Sequence, residues 1–171
     1  MKELNNGKPR VVVIPEEEAV FWLDEQGDWR NEHGPFEHPR IIEYFHSSIK
    51  HDFSGYYVEQ VNGDVLERVY FPYKDTALFV FKVISGAIPV LVLNTGRRIE
   101  LDPAALFMDD EDIYVRLDGV KAKFVKHGLK AIAKMIDFEK MTITVNGRQH
   151  SLSTKRKKGF RSFLKDLFKK I

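Results

Sequence analysis

The stretch that decides the fold runs from Ile113 to Leu152 and reads IYVRLDGVKAKFVKHGLKAIAKMIDFEKMTITVNGRQHSL. Apolar and polar residues alternate on both sides of Asp118-Gly119, a dipeptide that favours the tight turn of a β-hairpin. From Leu129, apolar residues then recur at helical spacing, i, i+3, i+4 and i+7. A second alternating pair of segments flanks Asn146-Gly147, another strong hairpin signal. The predicted order is therefore strand, strand, helix, strand, strand.

The same order of predicted elements occurs earlier in the chain, between Val20 and Phe71. A hairpin around the turn Asp24 to Gly27 precedes a helix from about Arg40 to Lys50, and the hairpin that follows has its own Asn62-Gly63 turn. Residue identity between the two stretches is low, so the repeat is one of pattern, and hairpin-rich proteins also produce such patterns by chance. We favour duplication and expect two similar halves.

Three further strands are predicted between the two copies, at 76–83, 89–93 and 97–101. The near-continuous apolar run 77–81 is typical of a strand buried on both faces, as at a seam between two halves. The fold class is therefore α+β, with two halves joined by a central antiparallel sheet. The predicted divisions are an N-terminal arm at 1–18, a first half at 19–84, a second half at 85–154 and a tail at 155–171.

Composition narrows the classes of function. The 171 residues are 43% hydrophobic and 30% charged, enough to bury an ordinary core. The absence of cysteine excludes disulfides and thiolate metal sites and fits a reducing compartment. No segment approaches the roughly 20 apolar residues that span a bilayer, so we expect a cytoplasmic protein. Dinucleotide, P-loop, zinc-protease and serine-hydrolase motifs are absent, which favours a non-enzymatic protein and implies no particular cofactor.

A set of residues between Trp22 and Leu152 is similar to a known family. These residues are Trp22, Asp24, Gly27 and Trp29 in the first hairpin, Pro39 and Phe45 around the first helix, Gly55-Tyr56, Asp75, Asn94 to Arg97, and Tyr114-Val115-Arg116. They resemble the bacterial family known as domain of unknown function 1285. The resemblance implies a duplicated α+β fold whose second half is similar to pleckstrin-homology domains. It also implies a nucleotide-like ligand at the interface of the halves and a role in signalling.

The candidate ligand-binding residues are aromatic or basic and lie near the predicted seam. They are Tyr70, Tyr73, Lys74, Arg97, Arg98 and Arg116. Guanidinium groups bind phosphate through two hydrogen bonds and tyrosine rings stack on bases, so this set suits a small anionic, nucleotide-like ligand. The alternative is that each is an ordinary exposed residue of a strand or turn.

The histidines and tryptophans give weaker signals. Glu43 and His46 have the i, i+3 spacing of a metal-binding pair, but a solvated helix face is the simpler interpretation, and we predict no metal site. Loop histidines such as His33 have no nucleophile beside them, so no catalytic residue is assigned. Trp22 and Trp29 are predicted to face each other across their hairpin as packing residues.

The C-terminal segment is a basic amphipathic helix by its pattern. Eight of the 27 basic residues but only one of the 25 acidic residues lie in 155–171. The candidate membrane- or partner-binding residues of this segment are Lys157, Lys158, Phe160, Arg161, Phe163, Leu164, Leu167 and Phe168. Three roles compete, namely docking onto its own domain, binding an anionic membrane surface, and binding a protein groove. Nucleic acid is disfavoured because the remaining chain is net acidic and carries no recognisable reading motif.

Overall fold

The structure, a computed structural model, describes residues 9–155. The chain separates into two compact units, one ending at Lys74 and the other beginning at Asp75. Within the described residues, two α-helices accompany several β-sheets, which confirms the α+β class. The boundary lies before the strand Phe79–Ile84, which the predicted division placed in the first half. This strand belongs to the second unit because both of its neighbours in the sheet are strands of that unit.

The first unit is built from two small sheets and one helix. In chain order its elements are β1 (Arg10–Ile14), β2 (Phe21–Leu23), β3 (Trp29–Asn31), β4 (Gly34–Pro35), α1 (Pro39–Ser47), β5 (Ile49–Asp52), β6 (Gly55–Asn62) and β7 (Val65–Tyr70). A 3-10 helix, Glu16–Glu18, follows β1. One sheet has the order β1-β7-β6-β5 and the other β2-β3-β4. All pairs are antiparallel except β1 with β7.

The hairpin between β6 and β7 forms as predicted, but its turn is displaced by one residue. Asn62 pairs with Val65, so the two turn residues are Gly63 and Asp64. Gly63 has φ +64° while Asp64 is not among the residues with positive φ. A glycine at the first of two turn residues suits the type II′ turn, whereas Asn-Gly had indicated type I′. The position of the turn, and with it the pairing of β6 with β7, is thus set by Gly63.

Aromatic rings form the core of the first unit. Trp29 is 1% exposed and meets Phe21, Phe45 and Phe71 edge-on. Its indole Nε1 donates to Nδ1 of His46 at 3.2 Å. The predicted solvated helix face at His46 is therefore wrong, since this side chain is 5% exposed and serves as a buried acceptor.

The two tryptophans do not face each other. Leu23 pairs with Trp29, and Trp22 pairs with Arg30. Because successive side chains of a strand point to opposite faces, Trp22 and Trp29 lie on opposite sides of their sheet. Trp22 is accordingly 38% exposed. The hairpin was predicted correctly, but the cross-strand tryptophan pair was wrong.

The second unit contains a large sheet, a small sheet and one helix. Its elements are β8 (Phe79–Ile84), β9 (Val90–Leu93), β10 (Arg98–Glu100), β11 (Leu106–Asp109), β12 (Asp112–Leu117), β13 (Val120–Phe124), α2 (Lys126–Ala133), β14 (Ile136–Asp137), β15 (Thr142–Val145), β16 (Arg148–Ser151) and β17 (Ser153–Thr154). The seven-stranded sheet has the order β10-β9-β8-β13-β12-β11-β17, and the small sheet has the order β14-β15-β16. A 3-10 helix, Pro103–Ala105, precedes β11 and is capped by the Asp102 carboxylate, which accepts the Ala104 N–H.

The local signals of the opening stretch are confirmed. Asp118 and Gly119 join β12 to β13 with φ values of 35° and 85°, and Asn146 and Gly147 join β15 to β16 with 49° and 71°. Both are turns in which two residues have positive φ, as Asp-Gly and Asn-Gly favour. The predicted helix ends three residues before Ile136, which forms part of β14 instead.

Helix α2 packs unusually close to the large sheet. A Cβ atom on Gly128 would lie 2.2 Å from the carbonyl oxygen of Val80, so the backbones of α2 and β8 meet where this residue has no side chain. Ile132 and Ala133 on the same helix are buried in the main core of the unit. No helix within residues 9–155 combines the length and apolar character needed to cross a membrane.

Candidate ligand-binding site

The candidate site begins at the turn between β5 and β6. Asp52 pairs with Gly55, and its carboxylate accepts the backbone N–H of Ser54 at 2.8 Å, which closes the turn. The other carboxylate oxygen accepts the Tyr70 hydroxyl at 2.6 Å. One side chain therefore holds both the turn and a tyrosine of β7, the next strand but one in the sheet.

The hydrogen bond between Asp52 and Tyr70 keeps each group in one protonation state. The hydrogen bond from Tyr70, assisted by the Ser54 N–H, holds the pKa of Asp52 below its usual value. The same bond raises the pKa of Tyr70 above its usual value. At neutral pH the carboxylate is thus charged and the phenol keeps its proton.

Two more tyrosines lie beside this pair. Tyr56 and Tyr73 meet edge-on, with ring centroids 5.0 Å apart and planes at 88°. The backbone of Tyr73 forms an isolated parallel bridge with Leu23. A Cβ on Gly55 would lie 3.2 Å from the Tyr73 hydroxyl, and Gly55 has φ +130°. Only glycine fits this position without strain, because it allows both the backbone angle and the close approach of the ring.

These tyrosines line an open pocket of about 340 Å³ in the first unit, here called the tyrosine pocket. Its lining residues are Val13, Pro15, Glu16, Glu17, Ser54, Gly55, Tyr56, Tyr70 and Tyr73. Val13 is 57% exposed and Tyr56 is 8% exposed, so the pocket grades from a solvent-facing rim to a buried wall. Aromatic rings, two carboxylates and a small apolar rim together form a surface that suits a small organic ligand.

Strand β1 supplies one side of the tyrosine pocket. Ile14 pairs with Val69 in parallel, so the residues that follow Ile14 come beside Tyr70, which follows Val69. Val13 lies on the strand, and Glu16 and Glu17 lie in the 3-10 helix just beyond it. The pocket therefore depends on a pairing between the two ends of the first unit.

Two of the predicted ligand residues, Tyr70 and Tyr73, line this pocket. Lys74, predicted to join them, has its Nζ 2.6 Å from a carboxylate oxygen of Glu25, and both side chains are exposed. In that position it pairs with an acid of the first hairpin.

The three predicted arginines belong to the second unit. Arg97 pairs with Asp118 at 3.1 Å, Arg98 is exposed on β10, and the Arg116 guanidinium lies 4.4 Å from the centre of the Phe107 ring. The contacts of Arg97 and Arg116 involve different residues. Within the second unit, the structure therefore does not place the three arginines around a common residue.

A second cluster of aromatic and charged groups lies on the large sheet. Phe107 stacks on Tyr114 with planes at 16°, and the Lys121 Nζ lies 4.4 Å from the Tyr114 ring centre. Lys121 also pairs with Asp75 at 2.5 Å. Burial, with a hydrogen bond to Asp75, raises the pKa of Tyr114. Lys121 and Asp75 neutralise each other, which favours a structural role for this pair.

The other sites considered in the sequence are a metal site, the loop histidines and the C-terminal tail. Within residues 9–155, no group of three or more histidine, aspartate or glutamate side chains is arranged to hold a metal ion. His33 is exposed and lies 3.2 Å from Glu32. The tail residues Lys157, Lys158, Phe160, Arg161, Phe163, Leu164, Leu167 and Phe168 lie outside the described residues.

Sequence reasoning missed most of the pocket lining. Gly55-Tyr56 is part of the family resemblance, and the Asp-x-Ser sequence before it is the signature of a turn closed by an aspartate side chain. Glu16 and Glu17 gave no usable signal, because their place beside Tyr70 follows from a parallel pairing of distant strands. Local periodicity carries no information about such a pairing.

Comparison with known proteins adds a likeness in fold. The sequence matches no protein-family model and no curated protein. A crystal structure of a DUF1285 family protein from Silicibacter pomeroyi is similar with a TM-score of 0.58 at 15% identity, covering 86% of this chain and 84% of that chain. A DUF1285 family protein from Shewanella baltica gives a TM-score of 0.48 at 16% identity, covering 65% and 87%. The predicted resemblance is thus supported by structure, and this chain has the fold of a DUF1285 family protein.

Proposed function

We propose that this protein is a non-enzymatic cytoplasmic module that binds a small organic ligand in the tyrosine pocket and serves in regulation or signalling. The observation that carries the proposal is the convergence of Tyr56, Tyr70 and Tyr73 on one pocket of about 340 Å³. Ligand sites are usually concave and largely apolar, with a few placed polar groups, and this pocket has that composition. The Asp52–Tyr70 hydrogen bond and the Tyr56–Tyr73 packing hold its walls before any ligand arrives.

The chemistry of the lining favours binding over catalysis. Among the described residues, those that line the pocket include no histidine, lysine or cysteine. Of the described lining residues, only Ser54 has an aliphatic hydroxyl, and the lining supplies no histidine to activate it.

Saturation-transfer NMR of the full chain against a library of small organic molecules tests this proposal. We expect hits that are lost in Tyr73→Ala and kept in Tyr44→Ala, since Tyr44 is an exposed tyrosine on α1 that does not line the pocket. The proposal fails if no library member binds, or if all hits persist in Tyr73→Ala with its fold verified by circular dichroism.

An anionic, nucleotide-like ligand held between two halves stays a separate prediction. Its residues would be Tyr70, Tyr73, Lys74, Arg97, Arg98 and Arg116. A thermal-shift panel of nucleotides tests it, because a ligand at 100 times its Kd stabilises a protein by roughly 2.7 kcal/mol. No shift with any nucleotide would remove the idea, whatever the library screen shows.

The second candidate function is peripheral attachment to an anionic membrane through 155–171. Apolar residues at helical spacing and a net charge of +7 in this segment support it. Each basic residue near an anionic surface adds about 1 kcal/mol, so co-sedimentation with phosphatidylserine vesicles should weaken strongly in Lys157→Glu/Lys158→Glu. The matched control is Lys130→Glu/Lys134→Glu, which reverses two exposed lysines elsewhere. Equal binding by both double variants would exclude the tail as the anchor.

We propose that the two units are copies and that the second is similar to pleckstrin-homology domains. Both units contain a hairpin, then a helix, then three successive antiparallel strands, β5-β6-β7 in one and β14-β15-β16 in the other. The shared order supports duplication, and superposition of the two segments in an experimental structure would test it.

A further inference from the structure

We infer that the tyrosine pocket selects an organic cation and places a methylated ammonium group against its phenol rings. This inference rests on the function proposed above, because it names the chemical class of the ligand for the same pocket. It differs from the anionic ligand that the aromatic and basic residues of the sequence suggested.

The charge of the pocket is the first argument. Glu16 and Glu17 line it, and the ionised Asp52 carboxylate is bonded to Tyr70, a third lining residue. No lysine or arginine is among the lining residues that the structure describes. The basic group whose charge acts on Asp52 is Arg68, and its guanidinium is held at 2.9 Å by Glu59. Like charges at short range repel, so this lining disfavours phosphate and favours a cation.

The ring geometry is the second argument. The faces of tyrosine rings carry negative electrostatic potential, and cations bind within about 6 Å of a ring centre. Tyr56 and Tyr73 stand at 88° to one another, so together they form a corner of two aromatic surfaces. Tyr70 lines the same pocket and is held by its bond to Asp52. Aromatic walls at several angles are the usual means of recognising quaternary ammonium groups.

The apolar and aromatic parts of the lining favour a methylated over a primary ammonium. A primary ammonium brings three N–H donors, each of which needs an acceptor when it leaves water. The side chains of Val13 and Pro15 offer none, and the Asp52 carboxylate already accepts the Tyr70 hydroxyl and the Ser54 N–H. The carboxylates that line the pocket, Glu16 and Glu17, are exposed. Methyl groups on nitrogen lose little on leaving water and can contact Val13, Pro15 and the rings. The exposed glutamates then supply charge without requiring direct hydrogen bonds.

Choline and its neutral carbon isostere, in which a tert-butyl group replaces trimethylammonium, provide the test. The two molecules have nearly the same shape, so a difference in affinity reports the charge. NMR titration of the full chain should show choline shifting the amide signals of Gly55, Tyr56 and Tyr73. We expect choline to bind at least about tenfold more tightly than the isostere.

Variants separate the rings from the carboxylates. Tyr73→Phe keeps the aromatic face and should retain most choline affinity, whereas Tyr73→Leu should lose it. Glu16→Gln/Glu17→Gln should weaken choline binding and flatten its salt dependence while leaving the isostere unaffected. Tyr44→Leu and Glu43→Gln, both on the exposed surface of α1, are the matched controls and should change neither ligand.

The outcomes distinguish this inference from the function on which it rests. Equal affinity for choline and the isostere would overturn the cation inference but would leave a ligand-binding pocket. Library hits at the same tyrosines without any choline binding would have the same meaning. If neither choline nor any library member perturbs Gly55, Tyr56 or Tyr73, the proposed function fails as well.

Discussion

At the residue scale, Asp52 determines how the pocket wall is presented. Its two carboxylate oxygens are used by different partners, the Ser54 N–H in the turn and the Tyr70 hydroxyl on the next strand but one. A charged acceptor makes a hydrogen bond about twice as strong as a neutral one, so this bond restricts the Tyr70 ring more than packing alone would. The pocket is thus prepared by a residue that does not line it.

Replacing Tyr70 by phenylalanine tests this bond. Tyr70→Phe removes the largest influence that lowers the pKa of Asp52, so that pKa should rise toward the ordinary value of 3.8. A carboxyl group whose pKa is lowered by folding stabilises the fold at pH values above its pKa in the unfolded chain. This stabilisation is lost as the pH falls through its pKa in the folded protein. The variant should therefore show a shallower loss of stability below pH 3.8. Carboxyl NMR titration measures the pKa, and Tyr44→Phe is the control; an unchanged Asp52 would contradict the role of Tyr70.

Gly128 is a second residue with a large predicted effect. In Gly128→Ala the added Cβ would lie 2.2 Å from the Val80 carbonyl oxygen and 2.9 Å from its carbon, both backbone atoms. Helix α2 would have to move off β8, and overpacking of this kind should cost at least about 2 kcal/mol. Urea unfolding measures the change. Gly86→Ala is the matched control, because its Cβ would be at an ordinary 3.4 Å from the nearest atom. Similar stabilities for the two variants would refute the close approach.

At the element scale, the two kinds of strand pairing differ in how well they could be predicted. Hairpins that depend on neighbouring residues, such as β12–β13 and β15–β16, followed from their turn dipeptides and alternation. The parallel pairs β1–β7, β13–β8 and β11–β17 join distant segments and were not predicted. Two of the pocket tyrosines were therefore identified from sequence, while the residues supplied by β1 and the following turn were not. The buried histidine was missed for a similar reason, since its partner Trp29 lies on another element.

The β12–β13 hairpin offers a test of turn chemistry. Gly119 has φ +85°, a region that costs an L-residue roughly 1–2 kcal/mol, so Gly119→Ala should destabilise by about that amount. Asp118→Asn keeps a residue that tolerates positive φ and removes only the exposed ion pair with Arg97. Such pairs contribute little, so this variant should lie within about 0.5 kcal/mol of the parent. Thermal unfolding compares them, and a larger effect of the aspartate substitution would show that the ion pair matters more than the backbone angle.

At the scale of the whole molecule, the acidic groups of residues 9–155 that have lowered pKa values are unevenly distributed between the two units. Asp24, Asp52 and Glu59 lie in the first unit and Asp137 in the second. At Asp24 burial opposes the shift, but hydrogen bonds from Arg30 and from backbone N–H groups outweigh it. Each of these groups stabilises its unit above its unfolded pKa, 3.8 for the aspartates and 4.5 for Glu59. More of the carboxyl groups that stabilise the fold in this way lie in the first unit than in the second.

Acidification should therefore unfold the first unit before the second. Both tryptophans lie in the first unit, so tryptophan fluorescence reports on that unit alone. As pH falls below 3.8, we expect the fluorescence of Trp29 to change before the methyl NMR signals of Ile132 and Ile143, which are buried in the second unit. Coincident transitions would mean that the two units unfold as one cooperative body.

The parallel pairing of β1 with β7 has a consequence for the order of folding. It joins residues 10–14 to residues 65–69, nearly the whole length of the first unit, while β5, β6 and β7 pair through short turns. Long-range contacts pay the entropy of loop closure before they gain stability, so β1 should add to the sheet last. Pulse-labelled hydrogen exchange should protect the amide of Val58 before those of β1. During synthesis β1 would leave the ribosome early and remain unpaired until its partner β7 has emerged. A binding-competent pocket would exist only after that point.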